Sequence, residues 1–432
     1  MKISLRFRHV LPILLVLLTD RAFTEFVIAY PDDPRLGWYN YAITGFSLLL
    51  IALYFRQLSP LMRRWLLVLV AAVGLLALES YSGWGAPFVY LHVFAKLLAL
   101  LPIFALYAYY RQHPLPMGLL MVLVLVGLAT SLALFHSDAL SLTAFLDTER
   151  GFDVTSAFLL LLPALYYFNQ YLLRGGLLRL VVFFGILALI VFLQHRTVWL
   201  TTALALALNL LLIVTHRVEG LRLSAHRLTP LLLLPVLVLA LGGTALVLDN
   251  PLVLRKLESN VEDITNADKQ GTGSWRLKQM EAYLPFVEEH PVAGMRLAGF
   301  ELPVQFYGDG DRPVWADRTG HHFHSFYFDR LFYFGILGVL LVLAVPVWQL
   351  LKRARQPEPF APNTAVLLCF SACALLYGFS YDWPPYLYGI IGLTLAVAPP
   401  LRLPARHPAG SLPAPLRVAD TPVPSPALPL PA

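Results

Sequence analysis

Cysteine and charge are both scarce in this chain. Cys369 and Cys373 are the only two cysteines in 432 residues. They stand one helical turn apart in an apolar stretch, so they are expected to act as small apolar residues, and their spacing matches no zinc motif. Charged residues make up 13% of the sequence. A water-soluble domain carries about 25%, so the shortfall argues against an ordinary soluble fold. No repeat of fixed period stands out. No small-x-small cleavage site follows the first apolar stretch, which is therefore expected to stay as a helix and not to leave as a signal peptide.

Apolar residues are what the chain has in abundance, at 58% of the total. Twelve stretches read as membrane spans. The first runs from about Val10 to Tyr30. Five more lie near Tyr39–Phe55, Trp65–Leu78, Val89–Tyr109, Met117–Phe135 and Val154–Leu172. The second six lie near Leu177–Leu193, Val198–Val214, Pro230–Leu248, Phe326–Leu350, Thr364–Phe379 and Pro384–Pro400. The expected fold class is an all-α polytopic membrane protein of about 12 transmembrane helices with one long extracytoplasmic loop. Residues 1–248 would hold helices one to nine, 249–325 the loop, and 326–401 the last three helices. Residues 402–432 form a tail rich in Pro, Ala and Leu, expected to be a disordered cytoplasmic extension.

Lys and Arg alternate with the spans. One side holds Lys2, Arg6 and Arg8, then Arg56, Arg63 and Arg64, and later Arg217, Arg222, Lys352 and Arg353. The opposite short connections offer little beyond Arg35, Arg150 and Arg196. The positive-inside rule puts the first set, with both termini, in the cytoplasm. The net charge of +6 is thus topological, and no nucleic-acid partner is expected.

The long loop opens on a polar stretch through Asn266 and Asp268 with the pattern of a loop. Gly271 to Ser274 form a flexible break and a helix cap. From Trp275 to about Glu289, Leu277, Met280, Leu284 and Val287 recur at three- or four-residue spacing, which predicts an amphipathic helix. His290-Pro291 ends it, and Gly308 to Asp311 make a surface turn. In the first span, Arg21 and Glu25 are four apart and can pair on one helix face.

Three groups in this frame can carry chemistry. Arg196 sits where one span emerges and the next re-enters. It reads either as an interfacial anchor or as a diphosphate ligand, since guanidinium grips phosphate oxygens in a fork. Arg276 stands at the start of the amphipathic helix, against the helix dipole, which hints at a bound anion; a loop Arg in solvent is the other reading. His324 closes the loop at the entrance to the tenth span. It reads as a base of near-neutral pKa able to take a proton from a hydroxyl, or as an interfacial His bonded to backbone. His321, His322 and His324 do not suggest a metal, because adjacent His321 and His322 diverge and no carboxylate follows at ligand spacing. Asp329 and Arg330 lie a turn or more beyond His324. They read as supporting or as packing groups, and Tyr381, Asp382 and Trp383 as acceptor-side residues.

His324-Ser325, nine residues, Gly335, two residues and Gly338 resemble the signature of the O-antigen ligase and polymerase superfamily. His195-Arg196-Thr197-Val198-Trp199-Leu200 resembles its Ser-Arg-x-x-Trp-Leu segment. Gly273-Ser274-Trp275-Arg276 through Pro291-Val292-Ala293-Gly294 resembles its Gly-Arg…Trp…Pro-x-x-Gly segment. The three occur in the family's order over roughly 180–345. Ser325 stands where the family commonly has Asn, His195 where it has Ser, and Trp275 before the Arg and not after it.

The resemblance implies a GT-C-like bundle and a glycosyltransferase that needs neither metal nor cofactor. It would move a glycan from undecaprenyl diphosphate to a hydroxyl of lipid A-core, at the periplasmic face of the bacterial inner membrane. It implies Arg196 and Arg276 as diphosphate ligands and His324 as the base, with Ser325, His322, Gly335 and Gly338 in support. The glycines would let the tenth helix approach a neighbour closely. Within the same superfamily the alternatives are a polymerase and a protein oligosaccharyltransferase. The alternative of another class is a secondary transporter, although transporters usually show broken helices paired between two related halves, and none are visible here.

Overall fold

A computed structural model describes residues 3–28, 33, 35–147, 151–238, 251–265, 272–306 and 321–397. Among these the chain is helical, with a single isolated bridge between Val218 and Phe360 and no strand. The Gly308–Asp311 turn, Asn266, Asp268, Gly271, Arg150 and the tail fall outside the described residues.

The helices are α1 (Ile3–Leu17), α2 (Arg21–Thr24), α3 (Arg35–Tyr54), α4 (Pro60–Trp84), α5 (Leu91–Leu98) and α6 (Leu101–Tyr110). Then come α7 (Met117–Phe135), α8 (Leu142–Asp147), α9 (Val154–Leu159), α10 (Leu161–Arg174), α11 (Leu177–Phe192), α12 (Arg196–Val214) and α13 (Ala225–Val238). The last six are α14 (Pro251–Thr265), α15 (Thr272–Glu289), α16 (Ala298–Glu301), α17 (Phe326–Ala354), α18 (Pro362–Ser380) and α19 (Pro385–Val397).

Among the described residues, eight helical segments are long and apolar enough to cross a membrane, and four more apolar helices are shorter, at 10–17 residues. Each expected span thus holds an apolar helix, but length alone supports eight crossings. The first span departs from a single helix: α1 stops at Leu17, and Asp20 caps the separate turn α2 by accepting from the Ala22 N–H. The Arg21–Glu25 pair forms as its spacing predicts, at 2.8 Å. In the loop region, 251–265 is helix where a polar coil is expected. Leu252, Leu254, Leu257, Val261 and Ile264 recur at helical spacing behind Pro251, which suits a first turn.

The most buried helices are α6, α10, α18 and α19, which pack together at the centre of the bundle. Reciprocal amide bonds between Asn169 and Asn209, at 3.2 and 2.7 Å, tie α10 to α12. Such side-chain pairs hold helices together where lipid gives no hydrophobic drive between them.

α17 is broken where the sequence places its first signature glycine. Gly335 has φ +59° and ψ −159°, a conformation essentially restricted to glycine. Ile336 and Leu337 would normally donate to the carbonyls of Phe332 and Tyr333. They donate instead to Pro291 and Val292, at 2.9 and 3.1 Å. Phe332 and Tyr333 in turn accept from Met295 and Arg296, both at 2.8 Å. The 291–296 segment thus takes over two rungs of the helix and returns two. Gly294 is also left-handed, at φ +64°, and a side chain on it would strike the backbone of Tyr333 and Phe334. The glycine does permit close approach, but the neighbour is this inserted segment and not another helix.

Candidate active site

Ser325 caps α17 by accepting from the Phe328 N–H at 3.4 Å, which fixes the chain just after His324. His324 itself is exposed, whereas His321 is buried. His321 has its Nδ1 3.2 Å from the Tyr283 hydroxyl and its Nε2 2.8 Å from the Leu302 carbonyl. Its backbone pairs with the Tyr333 hydroxyl, which donates to the His321 carbonyl at 2.9 Å. His321 is thus a brace between α15 and α17. His322 is exposed, with its ring 4.2 Å from that of His92.

Arg276 lies in the second turn of α15, since the helix begins at Thr272; the expectation of a helix-start Arg is corrected by that one turn. Its guanidinium sits 4.4 Å above the Tyr381 ring. Its charge also reaches His324. Crowding by surrounding protein and, second, the Arg276 charge hold the His324 imidazole well below its ordinary value, at about 4. His324 is therefore neutral at pH 7. Burial also lowers His321, against the opposing effect of its bond to Leu302.

Arg276 and Tyr381 form one wall of a cavity of about 460 Å³. Phe152, Asp153 and His195 form a second wall, with His195 Nε2 2.9 Å from the Phe152 carbonyl. Arg21, Glu25 and His136 form a third, in which Glu25 binds Arg21 at 2.8 Å and His136 at 2.6 Å. Arg196 follows His195 as the first residue of α12 and is half-buried, but it is not among the residues lining this cavity. The structure thus brings Arg276, His324, Tyr381 and His195 to one end of the bundle. It puts Arg196 beside them in the chain and not in the cavity wall.

A buried charge network stands beneath this end. Lys96 binds Asp329 at 2.6 Å, and Asp329 also binds Arg330. Arg330 donates to the Tyr388 hydroxyl at 2.8 Å and lies 3.6 Å from Asp382. Two cations face two carboxylates, so the cluster is balanced. The sequence signals Asp329 and Arg330 but not Lys96, whose partner is 233 residues away. A lone cation inside an apolar run is the available signal. Glu25 and His136 meet across 111 residues and are equally hidden from linear spacing.

No curated protein matches the chain. A family model described as O-antigen ligase matches residues 180–343, the stretch that contains His195, Arg276, His324, the 291–294 segment and both signature glycines. Residues 180–343 are thus similar to the O-antigen ligase family, a match that supports the O-antigen ligase and polymerase superfamily.

Proposed function

We propose that the protein is a glycan ligase acting at the outer face of the bacterial inner membrane. Its donor is a glycan on undecaprenyl diphosphate, and its acceptor is a hydroxyl of lipid A-core. The reading rests chiefly on the approach of Arg276 to His324, a cation beside a neutral imidazole, at the edge of a polar cavity. In this reading His324 takes the proton of the acceptor hydroxyl as its oxygen bonds to the anomeric carbon. The bond from that carbon to the diphosphate breaks, and Arg276 and Arg196 hold the departing charge. A diphosphate is already a good leaving group, so no strong general acid is required. A bound diphosphate would also offset Arg276's effect on His324 and make the imidazole a better base in the complex than in the free protein.

The direct test is transfer from a lipid-diphosphate donor by purified His324→Ala and Arg196→Ala. Both are expected to insert normally and to lose transfer. Full transfer by His324→Ala would remove the assigned base. Chelation with EDTA is expected to leave transfer intact; loss that a divalent metal restores would call for a metal in the mechanism. A deletion strain separates ligase from polymerase: intact core with free lipid-linked polymer supports ligation, whereas single-repeat products mean polymerisation.

A further inference from the structure

The cavity beside Arg276 has more acceptor groups than a diphosphate needs. Glu25 and Asp153 both line it, on walls other than that of Arg276. A diphosphate does not sit against two carboxylates without cost, so these groups fit an uncharged part of the substrate. They are also held in place. Glu25 is anchored through one oxygen to Arg21 and through the other to His136. Asp153 accepts from the Thr155 N–H at 2.7 Å at Oδ1, and the Thr155 hydroxyl, shared with Asp20, lies 2.6 Å from the same oxygen. A carboxylate has about four lone-pair sites, so each group keeps acceptor capacity after these bonds.

Two other ligand classes fit less well. A bare cation would meet Arg21 and Arg276 in the same cavity, and Glu25 is already paired with Arg21. An aromatic platform for stacking is also lacking at Tyr381, because its ring lies between the Arg276 guanidinium at 4.4 Å and the Tyr377 ring at 5.2 Å. Recognition here must come from hydrogen bonds at fixed acceptors, which is how vicinal hydroxyls are read. A volume of about 460 Å³ lies within the usual range of about 300–1,000 Å³ for small-molecule pockets.

We infer that Glu25 and Asp153 form a sugar-hydroxyl subsite, which holds the neutral sugar ring joined to the diphosphate while Arg276 holds the charge. This rests on the reading of Arg276 as a diphosphate ligand. The subsite would make the protein prefer a sugar-bearing lipid over the bare carrier, and so favour release of the spent carrier after transfer. Charge-assisted bonds to substrate hydroxyls discriminate strongly, because an unmet buried acceptor is costly.

The test compares two probes on the purified full chain: undecaprenyl diphosphate, and undecaprenyl diphosphate carrying a single N-acetylglucosamine. Wild type is expected to bind the sugar-bearing lipid at least tenfold more tightly. Asp153→Asn keeps a capping oxygen for Thr155 and replaces the other acceptor by a donor. It and Glu25→Gln should each reduce that preference toward parity, read as the ratio of the two lipids' affinities for the same variant. Equal affinity of wild type for both lipids, or an unchanged preference in both variants, overturns the subsite but leaves the diphosphate reading standing. Wild type that binds neither lipid overturns both.

Discussion

Gly335→Ala measures what the exchange between the 291–296 segment and α17 is worth. The substitution acts twice. A side chain at φ +59°, ψ −159° costs about 1–3 kcal/mol of backbone strain. Its methyl would also land on the Val292 carbonyl, so the segment must withdraw. Withdrawal breaks the bonds from Ile336 to Pro291 and from Leu337 to Val292, at about 1 kcal/mol each or more where water cannot replace them. The sum is about 3–5 kcal/mol. Gly45→Ala is the control: it lies exposed in α3, and nothing stands within 4 Å of the added atom, so it should be neutral or slightly stabilising. The assay is the fraction of folded detergent-solubilised protein surviving a heating series, read by size exclusion. If Gly335→Ala survives as well as Gly45→Ala, the exchange does not carry the stability assigned to it.

The pH dependence of transfer follows from His324. Its pKa is held at about 4, so the basic form prevails at neutral pH and is lost as pH falls through that value. Arg276→Gln removes one of the two causes, so the acid limb of kcat/KM should move to higher pH; a limb that stays put or moves down contradicts the coupling. In the charge network, Asp329→Asn leaves Lys96 and Arg330 facing each other and should destabilise by about 3–5 kcal/mol. Lys96→Met leaves Asp329 paired to Arg330 and should cost less; the reverse order of thermal survival would contradict the pairing.

Hydropathy made the helices legible, because a run such as Met117–Phe135 can be little else. It misled at Pro251–Thr265, where charged residues mask an apolar spacing. The site was half legible. His324 and Arg276 stand out as a base and a cation at the ends of segments with recognisable motifs. Glu25, Asp153 and His136 do not, because only tertiary folding gathers them into the cavity with Arg276. Gly335 was visible as a glycine, but its left-handed backbone and the crossing segment were not. The crossing segment carries Gly294, which is distant from Gly335 in the chain and meets it only in the fold.

The Lys96–Asp329–Arg330 cluster sets an order of assembly. Each charged side chain in the middle of an apolar helix adds up to about 2.5–3.5 kcal/mol to the cost of entering lipid alone. α5 is made early and holds Lys96 without a partner until α17 arrives with Asp329, 233 residues later. The charge of Lys96 is therefore met by Asp329 only once α17 has been made. A chain released before residue 326 carries an unanswered cation in the bilayer, a mark by which membrane quality control can distinguish an unfinished protein from a finished one.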